Sequence, residues 1–391
     1  MRGAMHTPLP PFVLTALVFA VPQALAQPAA PATPPPHQTA AAPQPAPAPT
    51  SPPATAAPAP QAAAAATPAP QPWKFSGLMF GDYYGFADDH DPKWDGQQGF
   101  WFRRIYFTFD YTFNPRLMTR LRLEANSNGT LANTNLTAYV KDAYLRWTLG
   151  GQHQLFLGIQ QTPTFEFLES VWGLRHIEKA PADLYRIDSA RDFGIGLQGP
   201  IAGSTALRYA VEFGNDSGQN SEVDANKGVR AAVRFDRNPG LFVEGAYAFL
   251  DRPNDQDRQI VQLFGGFRAP RGRVGLMYLY QQRQAGSVAN ATGLDLDVYS
   301  GFAVWDLVPK KWTLFGRVDR FDDPNPDGPR IDYLPLSALA PFTLTIAGVD
   351  WALYGTLRLS PNVEWVTYGD PTSGPDLDDD VIVRATFFWS W

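Results

Sequence analysis

From residue 104 to 126 the chain reads RIYFTFDYTFNPRLMTRLRLEAN, and alternate residues fall into two chemically distinct files. Arg104, Tyr106, Thr108, Asp110 and Thr112 alternate with Ile105, Phe107, Phe109, Tyr111 and Phe113. Beyond Asn114-Pro115 the split resumes, with Arg120, Arg122 and Glu124 against Leu117, Leu121 and Leu123. Successive side chains of a strand point to opposite faces, so this is a hairpin with one apolar face and one arginine-rich face. The period of two recurs down the chain. It predicts strands near 73–86, 99–113, 116–126, 138–149, 152–160, 192–199, 204–214 and 227–236. Eight more follow near 240–250, 258–269, 272–284, 295–308, 310–321, 342–359, 362–369 and 380–391. No stretch carries a long helical period.

The sixteen predicted strands are joined by connections that alternate in length. After even-numbered strands come Asn114-Pro115, Gly150-Gly151, residues 199–203, Arg237-Asn238-Pro239, Pro270-Arg271, Pro309 and Ser360-Pro361-Asn362, all tight. After odd-numbered strands come long polar stretches: 87–98, 127–137, 161–191, 215–226, 251–257, 285–294, 322–341 and 370–379. This sorting is what an antiparallel barrel gives when one rim faces the periplasm and the other the outside. A soluble barrel of this width leaves an interior that side chains do not fill. The expected fold is therefore all-β: a 16-stranded antiparallel transmembrane β-barrel, with apolar files facing lipid and polar files lining a water-filled lumen.

Composition agrees. The chain has 391 residues, no cysteine and 18% charged residues, below the roughly 25% of an ordinary soluble protein. Arg2, the apolar run Phe12–Ala20 and the small-x-small Ala24-Leu25-Ala26 read as a signal peptide over 1–26. Residues 27–72 are almost wholly Pro, Ala, Thr and Gln, without a Lys, Arg, Asp or Glu, and read as a disordered linker. A plain spacer is the simplest role for it; binding to a periplasmic partner or the cell wall is the alternative. The barrel is then 73–391. Removing Arg2 from the 32 Lys+Arg leaves 31 against 38 Asp+Glu, a net charge of −7 that argues against a nucleic-acid partner.

The last strand, VIVRATFFWSW, alternates apolar residues and ends on an aromatic. It looks like the recognition signal read by the barrel-assembly machinery, with Trp391 where Phe is usual. Trp147, Tyr209, Trp312 and Trp351 also sit on apolar files, as candidates for the aromatic girdles where a barrel meets lipid and lipopolysaccharide.

Several stretches together resemble the phosphate-selective porin O/P family of outer-membrane porins. They are FWFRRIYFTFDYTFNP (100–115), LRLEAN (121–126), KDAYLRW (141–147), LFLGIQQTPTFEFLES (155–170), RDFGIGLQG (191–199) and the close from RLSPNVEWVTYG to the C-terminus. The resemblance implies an outer-membrane barrel, usually a homotrimer, whose third external loop folds into the pore; loop 161–191 holds that place. The barrel domain has only seven lysines, so the lysine-dependent phosphate capture associated with the family is not carried over.

Arginine keeps its charge at neutral pH and its fork pairs with oxyanions. Arg104, Arg120, Arg122, Arg146, Arg208, Arg230 and Arg234 fall on polar files and are the candidate anion contacts lining the pore. Arg317, Arg358 and Arg384 share those files. The competing reading pairs all of these with Asp110, Glu124, Asp142, Glu212, Glu244, Asp319, Asp350 and Glu364 as braces of the wall. In the long loop, Glu166, Glu169, Arg175, Lys179 and Arg186 are the candidate constriction residues. Asp323 to Gly328 starts like a calcium loop but has Leu334 where the bidentate Glu belongs. Asp376–Asp380 (DLDDD) reads as a solvated acidic loop, suited to bridging lipopolysaccharide through divalent ions. No cofactor, metal site or catalytic group is identified: His90, His153 and His176 lie in loops or beside a turn, without a recognisable nucleophile. The functional expectation is a porin for small hydrophilic solutes, with a modest preference for anions such as phosphate. The alternative is a structural or adhesive barrel with a plugged lumen and a periplasmic tether.

Overall fold

The structure, a computed structural model, describes residues 71–126, 135–288, 291–331 and 333–391. The expected signal peptide and all but the last two residues of the linker lie outside them. The described chain forms β1 (Trp73–Asp88), β2 (Gln98–Asn114), β3 (Leu117–Asn126), β4 (Thr137–Thr148), β5 (Gln154–Gln161), β6 (Arg191–Pro200), β7 (Leu207–Gly214) and β8 (Gly228–Asp236). It continues with β9 (Gly240–Leu250), β10 (Arg258–Ala269), β11 (Gly272–Arg283), β12 (Leu294–Val308), β13 (Trp312–Phe321), β14 (Phe342–Tyr354), β15 (Leu357–Tyr368) and β16 (Asp380–Ser390). Between β5 and β6 lie two helices, α1 (Pro163–Trp172) and α2 (Pro181–Leu184). Every strand pairs antiparallel with its sequence neighbours, and β1 pairs with β16, so the barrel is closed. Closure leaves no strand edge unpaired, which is the condition for crossing a bilayer with strands.

The opening hairpin has the orientation its alternation requires. Phe107, Leu121 and Leu123 are exposed on the outer surface, while Arg104, Thr108 and Glu124 are buried on the inner one. Around the barrel the outer file is a belt of exposed Phe75, Leu145, Leu157, Ile195, Val233, Leu263, Leu276, Val318 and Val383. Trp147, Trp305 and Trp391 are exposed near the short-turn rim. Trp312 and Trp351 stack there on neighbouring strands, with ring centroids 4.8 Å apart.

The structure corrects the sequence expectation in three places. The tight turn after β14 is not at Ser360-Pro361-Asn362 but at Gly355-Thr356, where Gly355 has φ +56°. Pro361 lies within β15, opposite Ala385; across from β14 the ladder pauses between Gly348↔Asn362 and Trp351↔Leu359 because proline brings no N–H. Second, strict alternation fails at bulges, two of which bear on the basic wall. In β2 the pairs Phe80↔Arg104 and Gly81↔Phe102 leave Arg103 as an extra residue, so Arg103 and Arg104 both turn inward and are buried. In β4 the pairs Arg122↔Asp142 and Leu123↔Val140 leave Lys141 extra in the same way.

The third correction concerns the lumen. It is not lined by polar files all round. On β9 to β14 the inward file is largely apolar: Phe242, Phe264, Leu279, Val298, Phe302, Phe315, Phe321, Phe342, Leu344 and Ile346 are all buried, with Glu244, Gln262, Gln281, Arg317 and Asp319 set among them. They form one core with Phe165, Phe167, Leu168, Val171, Trp172, Ile177, Leu184, Tyr185 and Ile187 of the loop between β5 and β6. An apolar wall toward water would be unfavourable; covered by an apolar loop, it becomes a hydrophobic core inside the barrel.

Candidate functional site: the gap between the third loop and the basic wall

The third loop, residues 162–190, is fixed to one side of the lumen. Pro163 starts α1, whose missing N–H is no loss at a first helical position, and Gly173 ends it at φ +67°. Phe165, Leu168, Val171 and Trp172 lie on its buried face. Trp172 packs edge-on against Phe302, with centroids 5.2 Å apart, and its indole N–H donates to the Glu178 carbonyl at 3.0 Å. Wall side chains donate to loop carbonyls: Arg103 to Ile177 (2.7 Å), Gln262 to Thr164 (2.6 Å), Gln281 to Ile187 (2.8 Å) and Arg273 to Trp172 (2.7 Å). Arg273 thus places a cation on the carbonyl end of α1, where the helix dipole favours it.

The open space lies on the opposite side, along β2 to β6. An external cavity of about 640 Å³ is lined by Arg104, Tyr139, Lys141, Lys179, Asp183, Arg186 and Ala190, among others. A cavity of about 520 Å³ at the short-turn side is lined by Tyr106, Arg122, Glu169, Arg175, Arg191 and Trp391, among others. Arg104 and Tyr106 are two residues apart on one strand, so the cavities abut across roughly 7 Å. A third cavity, about 230 Å³, lies beside Arg120, Arg146, Gln154, Gln160 and Glu166.

Where these cavities meet, cations share carboxylates. Glu124 takes Arg104 at 2.7 Å and Lys141 at 3.2 Å. Asp142 takes Arg122 at 3.1 Å and Arg191 at 2.5 Å. Arg175 reaches Glu169 at 3.2 Å and Asp183 at 3.8 Å, and Lys179 reaches Asp183 at 3.8 Å. Six cations therefore face four carboxylates, leaving two positive charges in excess across the gap. Burial would raise the Asp183 carboxyl, but Lys179 and Arg175 overcome it and hold the group below its ordinary range. It stays an anion at neutral pH.

The candidate residues fall into different environments. Arg120 is half-buried and grips Asp110 through two bonds, at 2.7 and 2.9 Å. Arg122 donates to Thr108 at 3.0 Å and lies 5.7 Å from the Tyr106 ring centre. Arg146 and Glu166 line the smallest of the three cavities. Arg208 and Arg234 sit together beside Glu166 and Glu244, with Arg234 over the Phe167 ring at 4.5 Å. Arg186 lines the external cavity at φ +57°.

Arg230 must be reassigned. It is fully buried and meets Asp188, Asp192, Asp216 and Glu212 within 3.8 Å, so no solute reaches it. It ties the end of the third loop to β6, β7 and β8. Two cations of the gap, Lys141 and Arg191, and the buried Arg103 beside it were not among the candidates. Arg103 and Lys141 sit on the file that alternation assigns to lipid. A charged residue there, next to a second charged residue, is the signal of a bulge.

Other expected features resolve plainly. Asp327 of the calcium-like loop is engaged by Arg283 at 3.2 Å, and Asn325 is buried. Asp380 is not solvated; it is buried as the first residue of β16. His153 sits beside Tyr209, 3.0 Å from its hydroxyl. His176 does meet Ser360 and Asp350, which suggests a hydrolase triad, but the same Nε2 faces both, at 3.5 and 3.3 Å. Ser360 donates to Asp350 itself at 2.8 Å. A relay needs the two partners on different ring nitrogens, so this arrangement cannot activate the serine. Burial also pushes the His176 imidazole down, against the pull of Asp350.

A closed sixteen-stranded barrel, an outer apolar belt and a loop folded inside define the architecture, and residues 77–259 match the profile of the family described as phosphate-selective porin O and P. The chain is an outer-membrane porin, and it resembles this family over those residues. The solved structures agree on the fold. The anion-selective porin from Comamonas acidovorans aligns with TM-score 0.59 at 13% identity, over 82% of this chain and 99% of its own. The outer membrane channel DcaP of Acinetobacter baumannii gives TM-score 0.57 at 12% identity, over 82% of this porin and 97% of that chain. OmpT of Vibrio cholerae, in its trimer form, gives 0.55 at 12%, over 82% and 99%. Comparison with curated proteins gave no match.

Proposed function

We propose that this porin passes small hydrophilic solutes along the basic wall of β2–β6, opposite the docked third loop, with a modest preference for anions. The observation that carries the reading is the sharing of carboxylates by cations where the two large cavities meet. Each shared carboxylate is neutralised by one partner, leaving the other to act on a passing anion in a region of reduced dielectric. The excess is small and most cations are half engaged, which suits transient attraction and release, not tight capture. That a structurally similar protein is described as an anion-selective porin supports this preference.

Arg104, Arg120, Arg122 and Arg146, with Lys141, Arg175 and Arg191, would be the solute contacts on this reading; Arg208 and Arg234 flank the path. The reading also takes residues 1–26 as an export signal, 27–72 as a periplasmic tether, and the barrel as a homotrimer without enzymatic activity. The single experiment is conductance of the purified protein in planar bilayers, with potassium chloride compared against salts of a bulky anion. Conductance should fall more steeply on enlarging the anion than on enlarging the cation. No conductance at all would revive the plugged structural barrel and refute the proposal.

A further inference from the structure

Three metal-ligating side chains converge at the external rim, where β1 and β16 close the barrel. Asp89 and His90 directly follow β1, and Asp380 opens β16. One ligand atom from each lies within 4.8 Å of the others. His90 Nδ1 is 2.9 Å from Asp380 Oδ1 and 3.5 Å from Asp89 Oδ1. The Tyr368 hydroxyl, at the end of β15, is 3.2 Å from the same nitrogen and donates to Asp380 Oδ2 at 2.5 Å.

Two features of this cluster go beyond a chance grouping of acids. Asp89 and Asp380 are 3% and 1% exposed, and among the described residues the positive group set against both is His90; the neighbouring Lys93 pairs with Asp91. Two carboxylates taken out of water against a single imidazole are under-compensated. Asp89 Oδ1 accepts the Asp91 N–H at 2.9 Å, but the buried Oδ2 has no hydrogen-bond partner. A cation between these side chains would meet both needs together.

The geometry points to a divalent-cation site formed by Asp89, His90 and Asp380, selective for a borderline transition ion such as Zn²⁺. One imidazole nitrogen with two carboxylates is a donor set that such ions accept and that calcium, which takes oxygen donors, does not favour. Three protein donors leave a position for water, and His90 lines a cavity of about 460 Å³ through which ion and water reach it. Ligation displaces the His90–Asp380 hydrogen bond. It ties the first external loop to the start of β16 across the seam of the barrel, with the Tyr368 hydroxyl of β15 bonded to Asp380, independently of the solute path.

The test is isothermal titration of the untagged, detergent-folded chain with zinc chloride after chelator treatment. One Zn²⁺ per chain is expected, bound more tightly than Ca²⁺. His90→Gln and Asp380→Asn should each weaken it by at least about 100-fold, the upper end of what losing an outer-shell partner costs. Folding is read by far-UV circular dichroism, and Asp89→Asn replaces either variant that misfolds. Absence of Zn²⁺ binding, Ca²⁺ binding more tightly than Zn²⁺, undiminished binding in His90→Gln, or loss of binding in His153→Gln would each overturn the assignment.

Discussion

Replacing Trp172 with alanine should release the third loop from the barrel wall. Trp172 has no exposed surface, lies against Phe302 and Phe315, carries the Arg317 guanidinium 5.7 Å from its ring centre, and donates to the Glu178 carbonyl. Truncating a large buried aromatic costs about 3–5 kcal/mol through lost transfer energy and the cavity left behind. The barrel strands hydrogen-bond to one another without this residue, so most of the cost falls on docking of the loop, not on barrel closure. A shift of 3–5 kcal/mol multiplies the undocked population by roughly 10² to 10³ or more. The assay is single-channel conductance in planar bilayers, with Trp305→Ala as a control for the same change on the lipid face. Trp172→Ala should give larger and noisier openings; Trp305→Ala should leave them unchanged. A folded Trp172→Ala channel with wild-type conductance would refute the view that an apolar core inside the barrel holds the loop.

Other consequences are equally direct. Arg230→Ala leaves four buried carboxylates without their shared cation and should destabilise the barrel by about 3–5 kcal/mol in denaturant unfolding, with ion preference of the folded fraction unchanged; a loss under about 1 kcal/mol would contradict it. Since the chain has no cysteine, Arg122→Cys and Leu123→Cys give a clean contrast: a cationic thiol reagent added from the water should alter conductance only in the first. Asp183 ionises below its ordinary range, so its hold on Lys179 and Arg175 is complete above the usual carboxylate pKa and is lost as pH falls through the depressed value. Protonation removes a negative charge from the gap, so Asp183→Asn, which removes that charge at neutral pH, should show a stronger anion preference than the wild type in its reversal potential. Gly355→Val forces a branched residue into the left-handed region and should cost about 1–2 kcal/mol, which places the turn there.

Much of the barrel was legible because its cause is local. A period of two, interrupted by short and long connections in turn, needs no tertiary information, and β9 and β10 coincide with the runs read from alternation. What the sequence hid lies where a third partner decides. Phe242, Phe264, Phe302, Phe315 and Phe342 face inward beside outward apolar residues, so their strands read as apolar on both files, and only the docked loop explains why. Phe165, Leu168 and Trp172 repeat at helical spacing, a signal of α1 that is easily lost inside a stretch taken as a polar loop. Pro361 looked like a turn because proline usually ends a strand; its missing N–H merely interrupts one ladder. The arginines were found by type, but residue type does not distinguish Arg230, enclosed by four carboxylates, from Arg122, which shares one with Arg191.

That distinction is the centre of the account, and the reversal potential across a tenfold potassium chloride gradient tests it most directly. A perfectly selective channel for one charge would give roughly 59 mV. The wild-type porin should show the anion-favouring sign at a fraction of that value. Arg122→Gln with Arg191→Gln, which leaves Asp142 without either cation and four cations against four carboxylates, should move the potential toward zero. A cation-favouring wild type, or a double variant with an unchanged potential, would contradict a solute path along the basic wall.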